Sequence, residues 1–188
     1  FLVTDGYWNQ TSPNPGVPAT SSVVPRDNSP ASQTLPDGRV FSTSDPESKI
    51  MWNDINGNTT TLADIAWKYW STNLRTDFDG NINTRRKVPP FISDRSTSLF
   101  GPPLTAGQDP LSNKEIYWNP ANDPATWSHM VNFMISFGVD GTIPKTAANL
   151  RQLRLGTPQW PQTANNTIAN VDDMWHAAVN GRGQYFNA

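Results

Sequence analysis

Cysteine is absent from the 188 residues, which excludes disulfides and thiolate metal sites together. It leaves the redox compartment open, because exported bacterial domains often do without disulfides and cytosolic ones nearly always do. Charge is also scarce. Asp, Glu, Lys and Arg make up 16% of the chain, against about 25% in ordinary globular domains. The formal net charge of -2 supplies no field that would attract nucleic acid or an anionic membrane. Arg85-Arg86-Lys87 is the one basic cluster and reads as a solvated loop. No apolar run approaches the ~20 residues that cross a bilayer, so no membrane span is expected. The G-x-S-x-G, phosphate-loop and dinucleotide signatures are all missing, which removes the commonest enzyme classes.

What the chain does have is 17 Pro and 8 Trp, in a length sufficient for one domain with a core of its own. It opens on FLVTDGYWN, an apolar run ending in Asp5-Gly6. This reads as a buried strand entering a turn, since a short carboxylate and a residue without Cβ tolerate turn dihedrals. The strand starts at the first residue, so the expectation is that Phe1 lies inside a fold and the chain is a piece of something longer. Residues 10–48 are rich in Pro, Ser, Asn and Thr and read as an exposed insertion, with a short hairpin near Arg39-Val40-Phe41.

Downstream, Leu62, Ile65, Ala66, Tyr69 and Asn73 recur at helical spacing. Thr60 or Thr61 is placed to cap that helix, and Asp64 stands in its first turn. Residues 76–122 return to Pro and Gly signals that rule out long regular elements. Asp123-Pro124 then predicts a short helix over 125–129, an acid cap with Pro at the first helical position. It leads into a strand whose inward face is Val131, Phe133, Ile135 and Phe137, ending at Gly138. The last helix begins at an Asn170 cap, carries Val171, Met174, Trp175 and Ala178 as its stripe, and stops at Gly181. Strands separated by a helix cannot close a tight hairpin, so they are expected to run parallel in a βαβ unit, with the strand at 131–137 beside Leu2-Val3. The fold class is α/β with long insertions.

Four stretches carry a family resemblance. FLVTDGYWN resembles the strand of a von Willebrand factor A domain that delivers the last acidic ligand of its metal-ion-dependent adhesion site. TLADIAWKYWSTNLR, DPATWSHMVNFMISFGVDGTI and VDDMWHAAVNGRGQYFNA resemble successive signature stretches of the PilC/PilY family of type IV pilus tip-associated adhesins. The order of the blocks is what makes the resemblance specific. It implies a partial von Willebrand A-like, Rossmann-like domain over 1–188, with 10–48 and 76–122 as loop-rich insertions and 166–188 as the junction to a C-terminal β-propeller. It also implies export to the cell surface, pilus tip or outer membrane of a Gram-negative bacterium, and partners in minor pilins or the pilus tip and in host or abiotic surfaces. The expected role is attachment, pilus biogenesis and twitching motility without catalysis.

The resemblance makes Asp5 the candidate metal ligand, with Mg or Ca expected in the intact parent. No cofactor is expected in this fragment, because the Asp-x-Ser-x-Ser loop and separate Thr of such a site do not precede Phe1. One carboxylate cannot satisfy a cation that takes six or more oxygens. The remaining candidates read as structural. Asp54-Ile55-Asn56-Gly57-Asn58 and Asp77-Phe78-Asp79-Gly80-Asn81 imitate calcium loops but place Gly at position 4 instead of 6, and read as turns. His129 and His176 have no second His or Cys at ligand spacing. Asp172 and Asp173 point about 100° apart on a helix and read as helix-start charge. Glu47 and Glu115 stand in loops of no recognisable context. Trp52, Trp67, Trp70, Trp118 and Trp160 support an alternative reading as a secreted carbohydrate-binding or carbohydrate-active module, although helical spacing assigns Trp67 and Trp70 to packing surfaces.

Overall fold

Residues 1–4, 31–55, 60–76 and 88–188 are described by the computed structural model. A strand β1 (Leu2–Thr4) is followed by a hairpin of β2 (Ser32–Thr34) and β3 (Val40–Ser42). Then come α1 (Lys49–Trp52), α2 (Leu62–Ser71), α3 (Lys114–Tyr117), β4 (Met134–Ser136), α4 (Ala147–Leu155), α5 (Ala169–Asn180) and β5 (Tyr185–Asn187). β4 lies between β1 and β5, parallel to both, with Leu2 opposite Met134 and Met134 opposite Tyr185. The parallel βαβ arrangement read from the sequence is therefore present. Three-residue strands make a sheet too small to stand alone, so its stability comes from what covers it.

The cover is α5, whose twelve residues are all buried. α5 packs on the sheet face bearing Met134, and α2 packs against α5 in turn. α2 begins where Thr61 and Asp64 cap each other: the Asp64 amide donates to Thr61 Oγ1 at 3.3 Å, and the Thr61 amide donates to Asp64 Oδ2 at 2.8 Å. Its buried stripe is Ala63, Ala66, Trp67 and Trp70, while Tyr69 is 40% exposed. The predicted stripe is thus rotated by about one residue. Burial of a Trp is worth roughly 4–6 kcal/mol gross, so the two indoles set which way the helix turns.

Those indoles join Phe41, Trp118 and Trp127 in one aromatic cluster. Ring centroids are 4.6 Å apart for Phe41 and Trp67, and 5.3 Å apart both for Trp67 with Trp70 and for Trp70 with Trp127. The predicted hairpin exists as β2 and β3, but it is not an exposed appendage, because Leu35 and Phe41 belong to the core. The described residues of 76–122 hold only short helices, as expected, yet they bury Ile116, Tyr117 and Trp118.

Two further expectations are corrected. Residues 125–129 are not helical. Asp123 exchanges backbone hydrogen bonds of 2.8 Å each way with Phe91, and its carboxylate accepts from the Trp70 indole and the His129 imidazole described below. These long-range partners outweigh a local helix cap. Nor do Val131, Phe133, Ile135 and Phe137 point into the core. Met134 and Ser136 do, whereas Phe137 is 50% exposed and Phe133 is half-buried against the Phe1 ring, 5.3 Å away. The alternation is correct and the side is reversed, because α5 packs on the face that carries Ser136, whose hydroxyl finds a partner in Tyr185.

α4 has no counterpart in the sequence reading, although its signals are present. The Asn149 amide donates to Thr146 Oγ1 at 3.1 Å, and Gly156 closes the helix at φ +87°. Asn170 is the second residue of α5 and does not cap it.

Candidate functional site

In α/β sheets the carboxyl ends of parallel strands are where ligand groups gather. Here that edge is the row Thr4, Ser136 and Asn187, held level by the register of the three strands. Asp5, the next residue after β1, lies outside the described residues. Ser136 is fully buried. Its Oγ is 2.6 Å from the Tyr185 hydroxyl and 3.3 Å from Asn187 Oδ1. The Asn187 amide in turn donates to Asp140, and Gly138, at φ +70°, turns the chain between them. Burial raises the Tyr185 pKa, so the phenol stays protonated as a donor or acceptor in this network.

This edge supplies hydroxyl, carboxamide and carboxylate oxygens, but they are largely occupied with one another. Among the described residues no three His, Cys, Asp or Glu come close enough to hold a metal. Among the described residues the one neighbouring carboxylate besides Asp140 is Asp172, which accepts from the amide and hydroxyl of Thr142, at 2.8 and 2.7 Å, and from the amide of Ile143 at 3.0 Å. It ties the loop after β4 onto α5. The described residues therefore do not form a shell for Mg or Ca by themselves.

Of the other candidates, Asp172 and Asp173 do point to different partners, as their spacing required. Asp172 does stand in the first turn of α5, whereas Asp173 does not act as charge at the start of its own helix. Asp173 reaches across to α2 and accepts from the amides of Leu62, at 2.8 Å, and Ala63, at 3.2 Å, so that it caps a helix from outside. Burial pushes its pKa up to about 7 against the pull of those amides, and the Asp64 carboxylate adds to the rise. His176 lies in α5, its ring stacked on Trp160 at 4.5 Å, with Nε2 donating to the Met51 carbonyl at 2.9 Å. Burial lowers its pKa to about 3 and keeps it neutral.

His129 is different. Nδ1 faces the Trp127 carbonyl at 2.7 Å and Nε2 faces Asp123 Oδ2 at 2.8 Å, two acceptors that are both satisfied only by an imidazolium. Burial acts to lower its pKa, but the hydrogen bonds to Asp123 and the Trp127 carbonyl outweigh it and the net shift is upward. Asp123 also accepts from the Trp70 indole at 3.2 Å, and the Trp127 indole donates to the Trp70 carbonyl at 2.6 Å. The pair is thus a clasp on the aromatic cluster. Its contacts to Trp70 span 53 and 57 residues of chain, and no spacing rule exposes them.

Glu115, read as contextless, is buried in α3. It accepts from the amides of Leu99, at 3.0 Å, and Phe100, at 3.2 Å, with Arg154 at 3.5 Å. Glu47 lies in the 3-10 turn before α1. Trp67, Trp70, Trp118 and Trp160 are buried, and Trp52 is half-buried with its indole donating to Ser48 Oγ at 3.0 Å. The four buried indoles present no face on which a sugar could stack. The calcium-loop imitation that starts at Asp77 lies outside the described residues, and the one that starts at Asp54 opens on a bridge to Trp160. Among the described residues no helix is long and apolar enough to cross a membrane.

A parallel sheet backed by helices, with its polar row at the carboxyl edge, is a Rossmann-like α/β arrangement consistent with part of a von Willebrand A-like domain. No family model matches the chain, and no solved structure matches it. Curated relatives do match along its whole length. "Type IV pilus biogenesis factor PilY1" of Pseudomonas aeruginosa strain PAK is 35% identical over 195 residues, and the proteins of that name in strains PAO1 and UCBPP-PA14 are 34% and 32% identical. The match over the whole chain bears out the resemblance to the PilC/PilY family. The chain spans 14% of the length of these relatives.

Proposed function

We propose that this chain works as part of an exported type IV pilus biogenesis factor, at the cell surface, pilus tip or outer membrane, in attachment and twitching motility as well as pilus assembly. The observation that carries the reading is the match over the full chain to proteins named for pilus biogenesis. The role is binding and mechanical, without catalysis. Its partners are minor pilins or the pilus tip on one side and a host or abiotic surface on the other. In the intact parent, Asp5 would contribute one oxygen to a Mg or Ca ion whose remaining ligands come from elsewhere in the polypeptide.

The test is made in the parent gene, with Asp5→Ala and Trp70→Ala as separate changes, scoring surface pili, twitching and attachment. Trp70→Ala, which opens the aromatic core, should reduce piliation. Asp5→Ala should leave pilus number near normal while altering attachment or motility. Normal piliation, motility and attachment in both variants would sink the proposal.

A further inference from the structure

Away from the carboxyl edge, a cleft of about 450 Å³ opens at the amino-terminal side of the sheet. Its walls are apolar and come from four separate parts of the chain: Phe91, Val131 and Phe133, Leu150 of α4, and Trp175 of α5. That volume and lining are of the kind that hold a ligand. Two cations line the same cleft, Lys145 and Arg182.

Arg182 is an unusual group to find there. It is 7% exposed and takes a left-handed backbone, φ +55°. Its guanidinium lies over the Trp70 ring, 4.5 Å from the centroid, and Nη1 donates to the carbonyls of Asn119 and Asn122 at 3.2 and 3.4 Å. Nε and Nη2 have no hydrogen-bond partner, and no carboxylate lies within ion-pair distance among the described residues. Asp123, the only acid among the described residues that line the cleft, is taken up by His129 and the Trp70 indole. Asp123 acts on Arg182 only from beyond ion-pair distance, and a buried guanidinium with free donors is costly unless something supplies the acceptor. Lys145 is likewise without a carboxylate. Its ammonium donates to the Tyr185 carbonyl and sits 5.3 Å from the Tyr185 ring centroid.

We propose that this cleft is a docking site for a polypeptide segment that places apolar side chains against Phe133, Leu150 and Trp175 and a carboxylate beside Lys145 and Arg182. The charge balance argues for an anionic occupant, since among the described residues the lining carries two cations, Lys145 and Arg182, against one acid, Asp123. Gln184, which also lines the cleft, argues for a peptide over an acyl chain, because a peptide backbone offers its polar groups donors and acceptors and a hydrocarbon offers neither. This site is separate from the carboxyl edge and does not depend on the pilus reading.

The experiment uses the complete natural polypeptide and a fluorescein-labelled hexapeptide, Gly-Ser-Gly-Val-Phe-Leu, with either a free or an amidated C-terminus, followed by anisotropy. The free acid should bind, and the amide should bind about tenfold to a hundredfold more weakly, the range for a hydrogen bond to a charged group. Val131→Glu, a change on the exposed rim of the cleft, should abolish binding of the acid, with folding checked by near-ultraviolet circular dichroism. If that variant does not fold, the acid and amide comparison on the unmodified protein decides alone. No binding of the acid peptide, or equal binding of acid and amide, would overturn the proposal. Dodecanoate binding that excludes the peptide would overturn it too, and would assign the cleft to a lipid.

Discussion

The aromatic cluster between α2 and the 113–127 segment and the outer face of the sheet are built from similar residues and end in opposite environments. Trp67, Trp70 and Trp118 are at most 1% exposed, whereas Val3, Phe137 and Phe186, on the sheet face away from α5, are 53%, 50% and 43% exposed. In between, α5 buries Asn170, Asp172, Asp173, His176 and Asn180. Hydrophobicity therefore does not rank these positions. What ranks them is whether a covering element reaches the face, and whether a buried polar group meets a partner when it does. Parallel sheets are ordinarily covered on both faces. Among the described residues only the α5 side is.

The comparison is broken most directly at Trp70. Trp70→Ala should destabilise by about 3–5 kcal/mol in a denaturant titration, the range for truncating a fully buried aromatic. It also leaves Asp123 without one donor. A loss below about 1 kcal/mol would mean that the cluster is not the core.

Next comes Asp173→Ala, expected to cost about 1–3 kcal/mol because the amides of Leu62 and Ala63 lose a buried acceptor. The ionised Asp173 is penalised by burial, its folded pKa lying near 7 and its reference at 3.8. Its contribution to stability should therefore rise as pH falls from about 7 towards 4, and the variant should lose that slope. His176 opposes it. With a folded pKa near 3 against 6.5, it withdraws stability as pH falls below 6.5. The double-variant pH profile separates the two.

The His129 clasp gives a third, smaller effect of the same sign as Asp173, at higher pH. A His whose folded pKa is raised above 6.5 contributes stability that is complete below 6.5 and is lost as pH climbs through the folded value. Asp123, whose pKa is lowered from 3.8, loses its contribution only as pH falls through that lowered value. The clasp should thus be tightest between the two, and His129→Gln should flatten the alkaline limb of a stability curve measured from pH 6 to 9. An unchanged limb would remove the imidazolium from the account.

The smallest effect belongs to the open face. Phe137→Ser should change stability by no more than about 0.5 kcal/mol, as for a surface site without special contacts. A loss comparable to that of Trp70→Ala, measured on the complete polypeptide, would show that this face is covered there after all.

Much of this architecture could be read along the chain wherever the cause is local. Thr61 and Asp64 mark the start of α2 because a capping box needs only residues three apart. Met134 to Ser136 runs parallel to β1 because a helical crossover leaves no other short connection. Alternation over 131–137 and the turn at Gly138 were equally legible. Which side of that alternation is buried was not, since it depends on where a helix 35 residues later comes to rest. For the same reason Asp123 reads as a cap but serves as an acceptor for Trp70 and His129, and Asp173 reads as charge at the start of its own helix but closes the start of another. The free donors of Arg182 beside an apolar cleft have no sequence signal at all. Hydrogen-bond caps, helical periods and turn dihedrals act over a few residues and so are written in order. Burial, counter-ions and acceptors are met across the fold, and only the packing of α2, α5 and the sheet decides them.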